Sequence, residues 1–275
     1  MTASDGRLLA GRCTGPVDGR PVLFVAGAAT GRSMVFGAEL LAEKGIRLLT
    51  MDRPGMRTST PDPARTIAST AADYRAFVDG VLGESGSSIP VVANSQGGVF
   101  ALALALTGGA SRLVLVSPAD ELAHPAVHAQ LPSEATALAD LALNDRDAAE
   151  TVLAGFDAAG MEAMVLGGSD DEDRAFYTAP DFLDRYRRAL AEGFANSGQG
   201  YVRDTVLAMR PWALPLDEVP CPVTVLFGAR DRVHSPDLGA TLAERMPGAA
   251  RAVIPEAGGA LLWTHAAEVL DLAVG

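Results

Sequence analysis

The sequence predicts an α/β fold, with a mostly parallel sheet flanked by helices and a helical segment inserted late in the chain. Three observations carry this. Short apolar runs rich in Val, Leu and Ile recur along the chain, and segments of helical periodicity separate most of them. One such run also passes straight into a helix through Asn94-Ser95-Gln96-Gly97-Gly98. Strands that are apolar without alternation are buried on both faces, which requires helices on both sides of a parallel sheet.

The elements follow in order. Residues around 6–14 are expected to form an edge strand, followed by a strand at 22–25 and a helix at 34–44. Strands at 46–51, 91–93 and 113–116 then alternate with helices at 70–82 and 98–107. The alternation stops at 119–218, which has helical patterns at 148–156, 181–194 and 201–209 but no good strand. It resumes with strands at 223–227 and 252–254 and helices at 236–245 and 265–274. The expected division is a core of residues 1–118 and 219–275 with a helical cap insertion at 119–218. Within the insertion, Ser169-Asp170-Asp171-Glu172-Asp173 reads as a solvated acidic loop, because adjacent carboxylates repel and no ligand geometry is implied. Phe156, Met161, Met164, Val165, Leu166, Phe176, Tyr177 and Phe182 could line a pocket there. At helical spacing, such residues more often form the core of the insertion itself.

Composition narrows the function classes. The 275 residues carry a net charge of −12, and an acidic surface repels the phosphates of nucleic acid and anionic membrane. The charge says little about a small neutral ligand; the expected partner is a small molecule, apolar to suit the residues of the insertion. The longest apolar run, residues 99–106, falls far short of the ~20 residues that a membrane span needs. No secretory pattern opens the sequence, and Cys13 and Cys221 are expected to be reduced, buried thiols, so the cytoplasm is the default location. With no metal constellation, dinucleotide fingerprint or phosphate loop, no cofactor is expected.

The chemistry begins at Val91-Val92-Ala93-Asn94-Ser95-Gln96-Gly97-Gly98. A sharp strand-to-helix turn needs small neighbours, and it lifts a serine hydroxyl above the sheet edge beside the amide donors of a helix N-terminus. Upstream, Val22-Leu23-Phe24-Val25-Ala26-Gly27-Ala28 supplies a strand ending in a glycine loop. Further on lies Thr50-Met51-Asp52-Arg53-Pro54-Gly55-Met56-Arg57-Thr58-Ser59-Thr60. Together these segments resemble the α/β-hydrolase superfamily, in the branch with a small helical cap that includes proline-iminopeptidase-like and esterase-like members. The resemblance implies Ser95 as nucleophile and the backbone N–H groups of Ala28 and Gln96 as oxyanion donors. Ala93 takes the place of the usual first glycine of the elbow, Ala26 replaces a histidine, and Arg57 stands where a second glycine is usual. The Asp-Arg-Pro-Gly segment is structural in the family and is assigned no chemistry.

The same resemblance implies Asp231 as the acid, since Cys221-Pro222-Val223-Thr224-Val225-Leu226-Phe227-Gly228-Ala229-Arg230-Asp231 looks like the family strand ending in Gly-x-x-Asp. After the last strand, Ile254-Pro255-Glu256-Ala257-Gly258-Gly259-Ala260-Leu261-Leu262 matches the family pattern with Gly259 where histidine belongs. His265 aligns instead with a residue at the start of the last helix. His124 and His128 fall at the cap entrance and read as solvent-facing. His234, three residues after Asp231, is the candidate substitute base, although ordinary packing or surface placement is the commoner fate of such a residue. A serine hydroxyl is a weak nucleophile without a base, so three readings stand. The first is a serine hydrolase acting on an ester, thioester, lactone or amide bond with an incomplete triad. The second is a non-hydrolytic enzyme of elimination, cyclisation or isomerisation that uses the oxyanion hole. The third is a catalytically inactive small-ligand binding protein.

Overall fold

The computed structural model describes residues 1–275 and contains a single seven-stranded sheet. The strands are β1 (Gly11–Thr14), β2 (Arg20–Val25), β3 (Ile46–Met51), β4 (Ile89–Ser95), β5 (Ala110–Pro118), β6 (Val223–Gly228) and β7 (Ala250–Ile254). Their spatial order is β1-β3-β2-β4-β5-β6-β7; β1 pairs antiparallel with β3 and every other pair is parallel. This is the α/β-hydrolase arrangement expected from the sequence. The edge strand is shorter than the residues around 6–14 suggested.

Period-two alternation explains how the sheet is covered. Leu23, Val25, Leu113 and Leu115 point into one buried cluster with Tyr74, Phe77 and Phe100. Val22, Phe24, Val114 and Val116 point into another with Leu262, Val269 and Leu270. The first face is covered by α1 (Ile67–Leu82) and α2 (Gly97–Leu106). A capping box starts α1, where Thr66 and Ser69 each accept from the other's backbone N–H. α2 is apolar all round and almost wholly buried, as a helix between sheet and neighbouring elements must be.

The chain between β5 and β6 is helical: α3 (Pro125–His128), α4 (Ser133–Asn144), α5 (Arg146–Ala154), α6 (Ala158–Gly168), α7 (Asp171–Tyr177), α8 (Pro180–Gly193) and α9 (Gln199–Met209). A third cluster, including Met161, Tyr177, Phe182, Tyr186 and Tyr201, holds these helices together and meets the core at Ala29, Met34 and Ala260. After β6 come α10 (Ala240–Glu244), α11 (Leu261–Thr264) and α12 (Ala266–Val274).

Several expectations need correction. Residues 34–44 form successive turns instead of a helix, because Gly37 adopts φ 56° and interrupts any helical run. The helix expected at 236–245 shrinks to α10, since Leu238 and Gly239 both take positive φ immediately before it. The acidic run is not a solvated loop. Asp170 caps α7 by accepting from the Asp173 N–H, and Asp173 itself is buried. Of the two thiols expected to be buried, Cys13 is exposed on the edge strand, where its Sγ accepts from Arg47 Nη2 at 3.4 Å, and Cys221 is half-buried. His124 and His128 are half-buried and not fully solvent-facing; His128 Nε2 lies 2.9 Å from Asp140 Oδ1.

Candidate active site

Ser95 ends β4 and takes φ 50°, the left-handed region that a non-glycine residue enters only under constraint. The constraint is visible in its neighbours. A Cβ on Gly97 would collide with the carbonyl oxygens of Val25 and Ala26. One on Gly27 would sit 3.2 Å from Ser95 Cβ. Ala93 in the first small position is fully buried and fits without a glycine's freedom. Asn94 anchors the turn by donating from Nδ2 to Val116 O at 2.9 Å, and the Ala119 N–H donates to Ser95 O at 3.0 Å.

The glycine loop after β2 is fixed by the segment to which the sequence assigned no chemistry. Arg53 is buried and donates from Nη1 to Ala26 O and from Nη2 to Gly27 O, both at 2.8 Å. Its own charge is met by Asp204 of α9, whose Oδ2 lies 2.6 Å from Arg53 Nε. Arg65 donates to the other oxygen of the same carboxylate. Ala28, which follows the two pinned carbonyls, lines the same cavity as Ser95 and Gln96. Arg57, in the place of a glycine, adopts φ 42°, so the position keeps its backbone requirement; its Nη1 pairs with Glu192 Oε1 at 3.0 Å.

On the acid side, Asp231 lies three residues beyond β6 and its side chain is wholly buried. His234 Nδ1 is 2.8 Å from Asp231 Oδ2 and 3.0 Å from Oδ1, and the N–H groups of Val233 and His234 also reach Oδ1. An aspartate that accepts from a histidine ring nitrogen fixes the tautomer, placing the proton on Nδ1 and leaving Nε2 as the base. Burial opposes ionisation of Asp231, but the His234 charge, its hydrogen bond and the backbone donor outweigh it and hold the carboxyl at about 2. Burial likewise opposes the imidazolium of His234. The Asp231 carboxylate, its hydrogen bond and the more distant Asp173 carboxylate prevail, raising the imidazole above its ordinary 6.5.

Gly259 follows β7 beside this pair. A Cβ there would lie 3.6 Å from Asp231 Oδ1, 3.6 Å from Asp173 Oδ2 and 3.7 Å from His234 Cε1. These are ordinary contacts, so the position has room for a Cβ. Asp173, reaching across from α7, accepts from the N–H of Gly259 at 2.6 Å and of Ala260 at 3.3 Å. Its carboxyl is raised by burial; the two N–H donors pull the other way, and the charges of Asp170 and Asp231 add to the rise. A Cβ on Gly258 would run into this carboxylate, which explains the first glycine of the pair.

Ser95, Gln96, Ala28, His234 and Gly259 all line one cavity of about 410 Å³. Asp231 is not among the lining residues and pairs with His234, which is. Of the eight aromatic and aliphatic residues singled out in the insertion, Phe156, Met161, Met164, Val165, Tyr177 and Phe182 line the wall. Leu166 and Phe176 instead pack against the buried cluster of the insertion. Reading the sequence missed Asp120, Asp173 and Trp263. Asp120 and Trp263 line the cavity, and Asp173 braces its rim. A carboxylate directly after the strand neighbouring the elbow was the available signal for Asp120. His265 sits at the start of α12, as expected, with Nδ1 2.9 Å from Thr264 Oγ1.

Comparison with known proteins agrees with the fold. The model of the alpha/beta hydrolase family matches residues 22–272, and the chain belongs to that family. No curated protein matches it. Among solved structures, a hydrolase from Pseudomonas aeruginosa is 22% identical, with a TM-score of 0.73 over 99% of this chain and 96% of that one. A thermophilic esterase from Thermogutta terrifontis is also 22% identical, with a TM-score of 0.68 over 98% and 94%. An enol-lactonase from Burkholderia xenovorans is 20% identical, with a TM-score of 0.68 over 98% of each chain. At these identities the likeness is one of fold. No helix is long and apolar enough to cross a membrane.

Proposed function

We propose, from the premise that this chain is an alpha/beta hydrolase, that it is a serine hydrolase whose base has moved from the loop after β7 to the loop after β6. Ser95 is the nucleophile, His234 the base and Asp231 its orienting acid. The observation that carries this reading is the 2.8 Å contact between His234 Nδ1 and Asp231 Oδ2, on a histidine that lines the same cavity as Ser95. The residues 119–218 serve as the cap that closes this cavity. The bond cleaved is an ester, thioester, lactone or amide of a small substrate, apolar over most of its surface to suit the wall. The esterase and enol-lactonase likenesses are consistent with the oxygen esters among these.

In this scheme His234 Nε2 takes the proton of Ser95 Oγ as the oxygen attacks the carbonyl carbon. The charge on the carbonyl oxygen is met by the Ala28 and Gln96 N–H groups, each typically worth ~3 kcal/mol in such a hole. Collapse of the tetrahedral adduct breaks the bond to the leaving group, which takes the proton from His234. Water, deprotonated by the same imidazole, then releases the acyl group and restores Ser95. Gly259 bears no side chain and takes no part.

The test is labelling of the purified protein with an alkyl fluorophosphonate, read as intact mass and modified peptide. One equivalent on Ser95 is expected, none in Ser95→Ala, and a rate at least ~10³-fold lower in His234→Asn. Labelling unaffected by His234→Asn overturns the assignment of the base. Absence of labelling in the native protein, with labelling gained in Gly259→His, overturns hydrolysis and leaves a non-hydrolytic or binding role.

A further inference from the structure

We propose that Asp120 and Gln96 form a polar subsite that receives a hydroxyl or ammonium group on an otherwise apolar substrate. This rests on the reading of the Ser95 cavity as the substrate site. Asp120 stands two residues past β5, next to the segment whose Ala119 N–H holds Ser95 O. Its side chain is fully buried and lines the cavity. Oδ1 accepts from the Glu121 N–H at 2.7 Å, whereas Oδ2 is buried with no protein donor. Arg245 forms a long ion pair with Oδ1, its Nη1 at 3.8 Å and without a hydrogen-bond acceptor of its own, and donates from Nη2 to Glu121, so no hydrogen bond from it reaches Oδ2. Gln96, which lines the same cavity, repeats the pattern. Its Nε2 donates to Thr205 Oγ1 at 3.1 Å, and its Oε1 is buried without a partner.

Native proteins rarely leave a buried acceptor unpaired, and one facing an apolar cavity is costly until something donates to it. Here two such acceptors, one of them a carboxylate, belong to residues lining a cavity whose wall is mostly apolar, with Thr30, Asn94, Ser169 and Thr205 as its other uncharged polar members beside Ser95. Burial, the largest influence on Asp120, pushes its carboxyl up to about 6 against the pull of the Glu121 N–H, Arg245 and His124, with Asp237 adding to the rise. The carboxylate is thus under-compensated by the protein's own groups. A donor on the ligand removes the penalty, and a ligand without one leaves it in place. Sites built this way discriminate far more sharply than apolar pockets sorting by size.

The test uses Ser95→Ala, so that binding is measured without turnover. Hexanamide is compared by calorimetry with analogues carrying a hydroxyl or an amine at each chain carbon in turn. At one position the donor-bearing analogue is expected to bind ~100-fold more tightly than hexanamide. Adding Asp120→Asn, which turns the orphan acceptor into a donor while keeping the shape, should abolish or reverse that preference. Whether the hydroxyl or the amine series shows the preference identifies the group. The inference is overturned if no position is preferred, or if the preference survives Asp120→Asn. Fluorophosphonate labelling of the native protein is scored separately: labelling without a donor preference sinks the subsite and leaves the hydrolase. A donor preference without labelling sinks the hydrolase and leaves the subsite.

Discussion

The two halves of the site are built in opposite ways. The nucleophile side is a backbone construction: Ser95 at φ 50°, glycines where a Cβ has no space, and a loop whose carbonyls Arg53 pins from below. The acid-base side is a side-chain construction. There, Asp231 and His234 from the loop after β6 and Asp173 from α7 surround a glycine whose Cβ position is open. Backbone geometry tolerates almost no change of residue type, whereas a side-chain arrangement can be rebuilt from another loop. On the proposed reading, the contrast accounts for an elbow that persists while its base comes from another loop.

The largest effect is expected from attacking the acid-base pair. Asp231→Asn leaves His234 without the charge that orients it and fixes its tautomer, and kcat/KM for any turned-over ester should fall by ~10³-fold or more. Steady-state kinetics on the folded variant checks this, and a loss under tenfold breaks the comparison. Next comes the backbone side. Gly97→Ala drives a Cβ into two carbonyl oxygens that cannot move independently of β2, so a loss of ~3 kcal/mol or more in unfolding free energy is expected. Urea denaturation measures it. Gly259→Ala, by contrast, should cost less than ~1 kcal/mol, because its Cβ meets only ordinary contacts.

The smallest effect concerns pH. A base must be neutral to act, so activity should rise with pH through an imidazole pKa above 6.5. Asp173 contributes to that elevation, and Asp173→Asn removes its charge. The acid limb of kcat/KM should therefore move to lower pH in the variant, while a limb that stays put or moves up contradicts the electrostatic account. Stability follows the same pair. The raised imidazole adds stability that is complete below 6.5 and fades as pH climbs through its folded value. Asp231 adds stability that is present above 3.8 and is lost as pH falls toward about 2. The pair stabilises most between those limits, and thermal melts of His234→Asn against the native chain should diverge most there.

Much of this was legible in the sequence, and the boundary is physical. The strands were readable because burial on both faces demands uninterrupted apolar residues, as in Leu113-Val114-Leu115-Val116. The elbow was readable because its constraint lies within five consecutive residues. His234 could be named as a candidate from its nearness to Asp231, yet its pairing depends on a loop conformation that spacing alone does not fix. Asp173 escaped because its partners, the N–H groups of Gly259 and Ala260, lie more than eighty residues away. In isolation an acidic run looks solvated. Asp120 escaped for the opposite reason, since what marks it is a missing partner. The turns at 34–44 were misread because helical periodicity there is broken by a single glycine's φ.

One feature of the acid-base loop bears on how the molecule ages under stress. Asp231 and His234 belong to one short stretch of chain, tied together by two backbone N–H groups as well as by the ring. Their alignment is thus a local property, indifferent to whether β6 and β7 keep their register. The strand that carries them, β6, pairs with β5 and so stands one strand from the elbow strand, whereas β7 is an outer edge. Fraying of that edge would therefore loosen the Gly259 loop while leaving the dyad and its seat beside Ser95 in place.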